Sequence, residues 1–187
     1  RLEDLGQRIE SREAVIGVVG LGYVGLPLAV EFAKAGYAVK GFDLDAKKVD
    51  ALAEGSSYIE DVVPGDVSEV VVGGRLHATT DFAELSRCDV INVCVPTPLT
   101  KTRDPDVSHM AKAIEDIRKR LRSGQLIILG STTYPGTTHE LFVPMLESSG
   151  LRVGVVLCLA FPPERNHPAT KDFRVRDLEE TLADIEM

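Results

Sequence analysis

No apolar run in this 187-residue chain approaches the roughly 20 residues needed to span a bilayer. Residues 1–13 (RLEDLGQRIESRE) are charged throughout and do not read as a secretory signal. Cysteine is scarce. Cys88, Cys94 and Cys158 form neither CxxC nor another common zinc spacing, and the four histidines stand far apart, so no metal centre is expected. Cys94 and Cys158 lie inside apolar runs and read as buried thiols, while Cys88 sits at a helix-to-strand junction with no evident partner. Reduced thiols fit a cytoplasmic protein better than an exported one. Positive charge is in deficit, with 21 Lys and Arg against 29 Asp and Glu for a net charge of −8. That balance gives no reason to expect a nucleic acid or an anionic membrane as partner. A small anionic ligand stays open, because backbone N–H groups can hold one without any net positive charge. There is no internal repeat or low-complexity tract. With 44% hydrophobic and 27% charged residues, the expectation is one soluble folded domain rather than a disordered chain.

What is present is an alternation of short apolar runs with helical periodicity. Leu2, Leu5 and Ile9 stand at helical spacing, and AVIGVVG (14–20) follows, too short and too β-branched for a helix. Residues 25–35 carry Leu26, Leu28, Ala29, Phe32 and Ala33, an apolar helix closed by Gly36. A strand is predicted over 37–43 and a short helix over 45–53, stopped by Gly55. Residues 55–75 are less regular, with one or two helical turns at 66–72. Further strands are predicted at 76–80, 89–95 and 125–130, with helices at 81–86, 107–122 and 136–148. LRVGVVLCLAF (151–161) is the last long apolar run. Strands apolar on both sides and separated by helices indicate an α/β fold, a doubly wound parallel sheet covered on both faces, with the dinucleotide-fold strand order.

Gly20, Gly22 and Gly25 form G-x-G-x-x-G between the first strand and the first helix of this pattern. The first glycine permits a tight turn, the second lets a pyrophosphate approach the backbone, and the third lets helix and strand pack closely. The helix start then offers free N–H groups to a phosphate. Asp43 ends the second strand 23 residues after Gly20, about the ~20-residue separation at which a ribose-binding acid is expected. Its carboxylate accepts from an adenosine ribose and repels a 2′-phosphate, which favours NAD over NADP. Helix capping is assigned instead to Asp45. The fold expected is therefore a Rossmann-type NAD-binding domain.

The segment VGLGYVGLPLAVEFAKAGY (19–37) is more specific than a generic fingerprint and resembles the nucleotide-sugar 6-dehydrogenases, the UDP-glucose/GDP-mannose dehydrogenase family. VPTPLTKTRDPD (95–106), GSTTYPGTT (130–138) and LAFPPER (159–165) extend the resemblance over roughly residues 1–165. The second and third of these four segments look most like the branch acting on UDP-N-acetylhexosamines, UDP-N-acetylglucosamine among them. The resemblance implies oxidation of a sugar C6 alcohol to a carboxylate with two NAD per turnover. It further implies a UDP-sugar partner and a possible homodimer.

Carried over position by position, the resemblance places Gly20, Leu21, Gly22, Tyr23, Val24 and Gly25 at the pyrophosphate, Asp43 on the ribose and Lys48 on the adenosine side. Val95, Pro96 and Thr97 come to the cofactor after the fourth strand, and Thr132 to the site after the fifth. Glu164 is implied as the catalytic glutamate that assists the water steps. Read from the residues alone, Lys48 is a solvated helix lysine, Ser131–Thr133 are helix caps, and Glu164 is a surface partner of Arg165. Lys101 and Arg103 read as phosphate ligands or as exposed loop charges.

The family's chemistry also needs a nucleophilic cysteine in a G-G-x-C context with a lysine and an asparagine from a central helical region, and none of these motifs is present. Gly130 and Pro162 depart from the residues usual in the family, Glu and Ser, and residues 166–187 no longer follow it. The expected organisation is an NAD-binding domain over 1–165, with a short N-terminal helix, and a diverged tail over 166–187. Such a chain is expected to bind NAD and not to complete the oxidation alone. The alternatives are a UDP-glucose 6-dehydrogenase, a non-catalytic NAD-binding module, and an enzyme of the β-hydroxyacid dehydrogenase type.

Overall fold

The computed structural model describes residues 2–96, 98, 101, 106–129, 138–154 and 157–160. Helix α1 (Leu2–Glu10) leads into strand β1 (Val15–Val19), then α2 (Gly25–Lys34), β2 (Ala38–Phe42), α3 (Ala46–Ala53), α4 (Pro64–Val72) and β3 (Leu76–Thr79). A 3-10 helix at Phe82–Arg87 precedes β4 (Val90–Val93), which is followed by α5 (Ser108–Arg118) and β5 (Gln125–Leu129). A π-helical turn at Thr138–Phe142 then runs into α6 (Val143–Glu147), and β6 (Leu157–Ala160) closes the set. Among the described residues, no helix is long and apolar enough to cross a membrane.

The six strands form one parallel sheet in the order 3-2-1-4-5-6. β-Branched and aliphatic side chains fill both faces of the central strands. Ile16, Val18, Val39, Leu76, Val90, Leu126 and Ile128 join Leu5 and Ile9 of α1 and the buried stripes of α2 and α4 in one core. Val19, Ile91, Val93, Ile127 and Leu129 form the other, with Met110, Ile114 and Ile117 of α5 and with Phe142 and Leu146. Two cores separated by one sheet are the doubly wound arrangement expected from two-sided apolar strands.

Several boundaries differ from the sequence pattern, each for a local reason. The predicted turns at 66–72 are a nine-residue helix that starts earlier, with Pro64 in its first turn, where a missing N–H costs nothing. The segment at 81–86 is 3-10 rather than α, with Asp81 accepting from the Ala83 N–H. Helix α5 ends at Arg118, short of 122. The chain is pulled away there because the Arg122 N–H donates to Gln125 Oε1, and its guanidinium donates to Ser86 O, Cys88 O and Asp89 Oδ1. Asp45 caps α3 by accepting from the Lys47 N–H, as expected.

At the amino ends of the strands, Asp89 is almost fully buried and bonded throughout. Its Oδ1 accepts from Arg8 and Arg122, each at 2.6 Å, and its Oδ2 from the Val15 N–H at 2.8 Å. This carboxylate fastens α1 and the β5 approach to the sheet.

Candidate functional site: a dinucleotide cradle at the carboxyl edge

Strand order reverses between β1 and β4, and the carboxyl edge at this switch point is where open α/β sheets bind ligands. The sheet pairing continues one step into the loops that follow these two strands. The Gly20 N–H donates to Phe42 O at 2.8 Å and the Cys94 N–H to Val19 O at 2.7 Å.

The three glycines of the loop do different work. Gly20 has φ +90°, and a Cβ there would stand 2.9 Å from Cys94 O, so neither the turn nor the space admits a side chain. A Cβ on Gly25 would come 1.7 Å from Gly20 O, so α2 starts in direct contact with the loop backbone. At Gly22 a Cβ would meet nothing within 4 Å; its side of the loop is open.

Around that opening the donors are unspent. Among the described residues, the N–H groups of Gly22, Tyr23 and Val24 make no hydrogen bond. The α2 N-terminus has no side-chain cap and no acidic residue in its first turn, so its partial positive charge is not neutralised from within the chain. The Tyr23 and Val24 side chains are exposed, 78% and 61%.

Asp43 stands just beyond β2 with its side chain 11% exposed. Its Oδ2 accepts from the Leu21 N–H at 2.9 Å and from Lys48 Nζ at 3.3 Å, and its Oδ1 from the Asp45 N–H at 2.9 Å. A carboxylate has about four lone-pair sites, which leaves room on Oδ1 for a hydroxyl donor. The structure thus brings together Gly20 to Gly25, Asp43 and Lys48 from the residues named in the sequence. Val95, half-buried, and Pro96, exposed, leave β4 at the same edge. Thr97, Ser131, Thr132, Thr133, Glu164 and Arg103 lie outside the described residues, as do Gly130, Pro162 and the tail 166–187; Lys101 is exposed.

One residue of this region has no counterpart in the sequence reading. Tyr58, between α3 and α4, donates its hydroxyl to Leu21 O at 2.7 Å. The only local signal is an aromatic residue in a stretch otherwise rich in Gly, Ser and Asp. Cys94 is buried, as its apolar run predicts; Cys88, expected only at a helix-to-strand junction, is buried too, and the burial of Cys158 lies outside the described residues. Burial pushes the Cys88 and Cys94 thiols up to about 12, and Cys88 finds an acceptor in Glu84 O at 3.9 Å. Neither is a nucleophile near neutral pH.

A loop open at Gly22, with N–H groups unbonded among the described residues at a helix start and an acid bonded to the same loop, fits a dinucleotide. Fold and site together define a dinucleotide-binding domain of the doubly wound class. The chain belongs to the UDP-glucose/GDP-mannose dehydrogenase family: the family's NAD binding domain matches residues 14–179, and its cofactor is NAD. The UDP-N-acetyl-D-glucosamine 6-dehydrogenase of Pseudomonas aeruginosa is 39% identical over 173 residues, which is 92% of this chain and 40% of the relative. Among solved structures, the UDP-D-ManNAc dehydrogenase of Pyrococcus horikoshii superposes with a TM-score of 0.79 at 33% identity, covering 91% of this chain and 44% of that one. A ternary complex of GDP-mannose dehydrogenase from Pseudomonas aeruginosa gives 0.78 at 30% identity, covering 87% and 38%. The chain spans about two fifths of the length of these relatives.

Proposed function

We propose that the chain is the cofactor-holding part of a nucleotide-sugar 6-dehydrogenase that oxidises the C6 hydroxyl of a UDP-N-acetylhexosamine, UDP-N-acetylglucosamine first among them, in the cytoplasm. The observation that carries the cofactor half is the Asp43 carboxylate bonded to the Leu21 N–H beside three free loop donors. The sugar rests on the segments at 95–106 and 130–138 and on the 39% identity to a UDP-N-acetyl-D-glucosamine 6-dehydrogenase.

When bound, NAD supplies the hydride acceptor. The chain's own residues orient it. The Gly22, Tyr23 and Val24 N–H groups hold the pyrophosphate against the α2 N-terminus, and Asp43 accepts from the adenosine ribose with Lys48 beside it. Val95, Pro96 and Thr97 bind the cofactor, Thr132 holds the reacting hydroxyl or a water, and Glu164 assists the water steps. Domain limits of 1–165 and 166–187 go with this reading. The thiol that the family's acyl chemistry requires is not Cys88 or Cys94, since both are buried and protonated. That observation favours, as the second reading, an NAD-binding module without oxidation of its own.

Calorimetric titration of the chain with NAD and NADP, then with UDP-N-acetylglucosamine, UDP-N-acetylmannosamine, UDP-glucose and GDP-mannose in saturating NAD, tests both. NAD binding tighter than NADP, with UDP-N-acetylglucosamine the tightest sugar, is expected. A preference for UDP-glucose or GDP-mannose reassigns the substrate. NAD binding with no response to any sugar selects the module.

A further inference from the structure

Leu21 is held at three points. Its N–H donates to Asp43 Oδ2, its C=O accepts from the Tyr58 hydroxyl at 2.7 Å, and its side chain is fully buried over Gly41, where a Cβ would come within 2.9 Å of its methyl groups. The Leu21 carbonyl and the Gly22 N–H belong to one planar trans peptide and point in opposite directions. Whatever fixes the carbonyl therefore fixes the aim of the N–H.

We propose that Tyr58 is a positioning residue for the cofactor's pyrophosphate: by holding the Leu21 carbonyl, it aims the Gly22 N–H into the open side of the glycine loop. The inference rests on the dinucleotide reading of that loop. Tyr58 is itself well anchored. Its neighbours Ile59 and Val62 are buried in the core, and Ser57 Oγ both donates to Ile59 O and accepts from the Ile59 N–H. Burial, with the Asp43 and Asp45 carboxylates nearby, raises the pKa of the hydroxyl, which keeps it a donor through the neutral range. Without the hydroxyl, the Leu21–Gly22 peptide loses the Tyr58 bond on its carbonyl, and the aim of its donor must be set when a phosphate binds.

Two probes separate this role from a general loss of structure. ADP-ribose carries the pyrophosphate; adenosine reaches only the Asp43 end of the site. NMR titration of the wild-type chain and of Tyr58→Phe with each probe is expected to show ADP-ribose weakened roughly threefold to tenfold, the range of one hydrogen bond, and adenosine unchanged. Equal losses for both probes, or no loss for ADP-ribose, would overturn the assignment. A second measurement needs no variant: in the wild-type chain, the Gly22 amide resonance is expected to move with ADP-ribose and stay in place with adenosine. A Gly22 amide blind to ADP-ribose overturns the assignment even if Tyr58→Phe does not fold. A wild-type chain that binds neither probe overturns the cofactor reading, and this inference with it.

Discussion

The N–H of Leu21 donates to Asp43 Oδ2 at 2.9 Å, so the acid after β2 is bonded to the loop that follows β1. One carboxylate thereby ties the end of β2 to the glycine loop and keeps one acceptor site on Oδ1.

Asp43→Ala removes both. Hydrogen bonds to a charged group are worth about 1.5–3 kcal/mol, so the Kd for NAD is expected to rise by at least about tenfold. The preference over NADP is expected to shrink, since the charge that repels a 2′-phosphate is gone. Calorimetry with both dinucleotides reads the outcome. An unchanged Kd would remove Asp43 from the site.

Gly22 and Gly25 separate binding from folding. Gly22→Ala places a methyl group in open space, so the thermal midpoint should stay within a few degrees while NAD affinity falls. Gly25→Ala would press its Cβ to 1.7 Å from Gly20 O, and relief requires the loop or α2 to shift. A loss of stability of about 2 kcal/mol or more, in the range of a core overpacking, is expected. Paired melting curves and NAD titrations check it; two variants with the same profile would contradict the division of labour.

Asp89→Ala leaves Arg8, Arg122 and the Val15 N–H without their common acceptor. Breaking a fully buried pair costs about 3–5 kcal/mol. The Arg8 and Arg122 side chains are 35% and 40% exposed and recover part of their hydration, so a loss of about 2 kcal/mol is expected. Urea unfolding measures it. NAD affinity is expected to hold, because this cluster lies at the opposite edge of the sheet from the glycine loop.

Burial raises the Cys88 and Cys94 thiols from an ordinary value of 9.0 to about 12. Between those values the unfolded chain releases protons that the folded chain keeps, so stability is expected to fall as pH rises from about 9 towards 12. In native protein at pH 8, iodoacetamide should leave both thiols intact, and urea should expose them. Mass spectrometry of the alkylated peptides decides. Rapid native labelling of either thiol would show that the flank of β4 on which it lies is open to solvent.

How much of this was legible beforehand depends on the range of the interaction. The apolar runs at 14–20, 37–43, 89–95 and 125–130 became strands because β-branched residues on both sides suit a doubly covered sheet. The glycine spacing and Asp43 were readable because a strand–loop–helix unit is a local object. The end of α5 was not, since it is set by Arg122 reaching Asp89, Ser86 and Cys88 across the fold.

By itself, then, the sequence determined the kinds of element, the glycine turn and the presence of an acid at the right separation, all consequences of side-chain periodicity and backbone sterics. Only the tertiary structure decided the bond from Leu21 to Asp43 across 22 residues, the hold of Tyr58 on Leu21 across 37, and the Arg8–Asp89 pair across 81. These depend on the path by which parallel strands cross over one another. No local pattern encodes that path, because the residues that meet share no periodicity, only the sheet that carries them to the same edge.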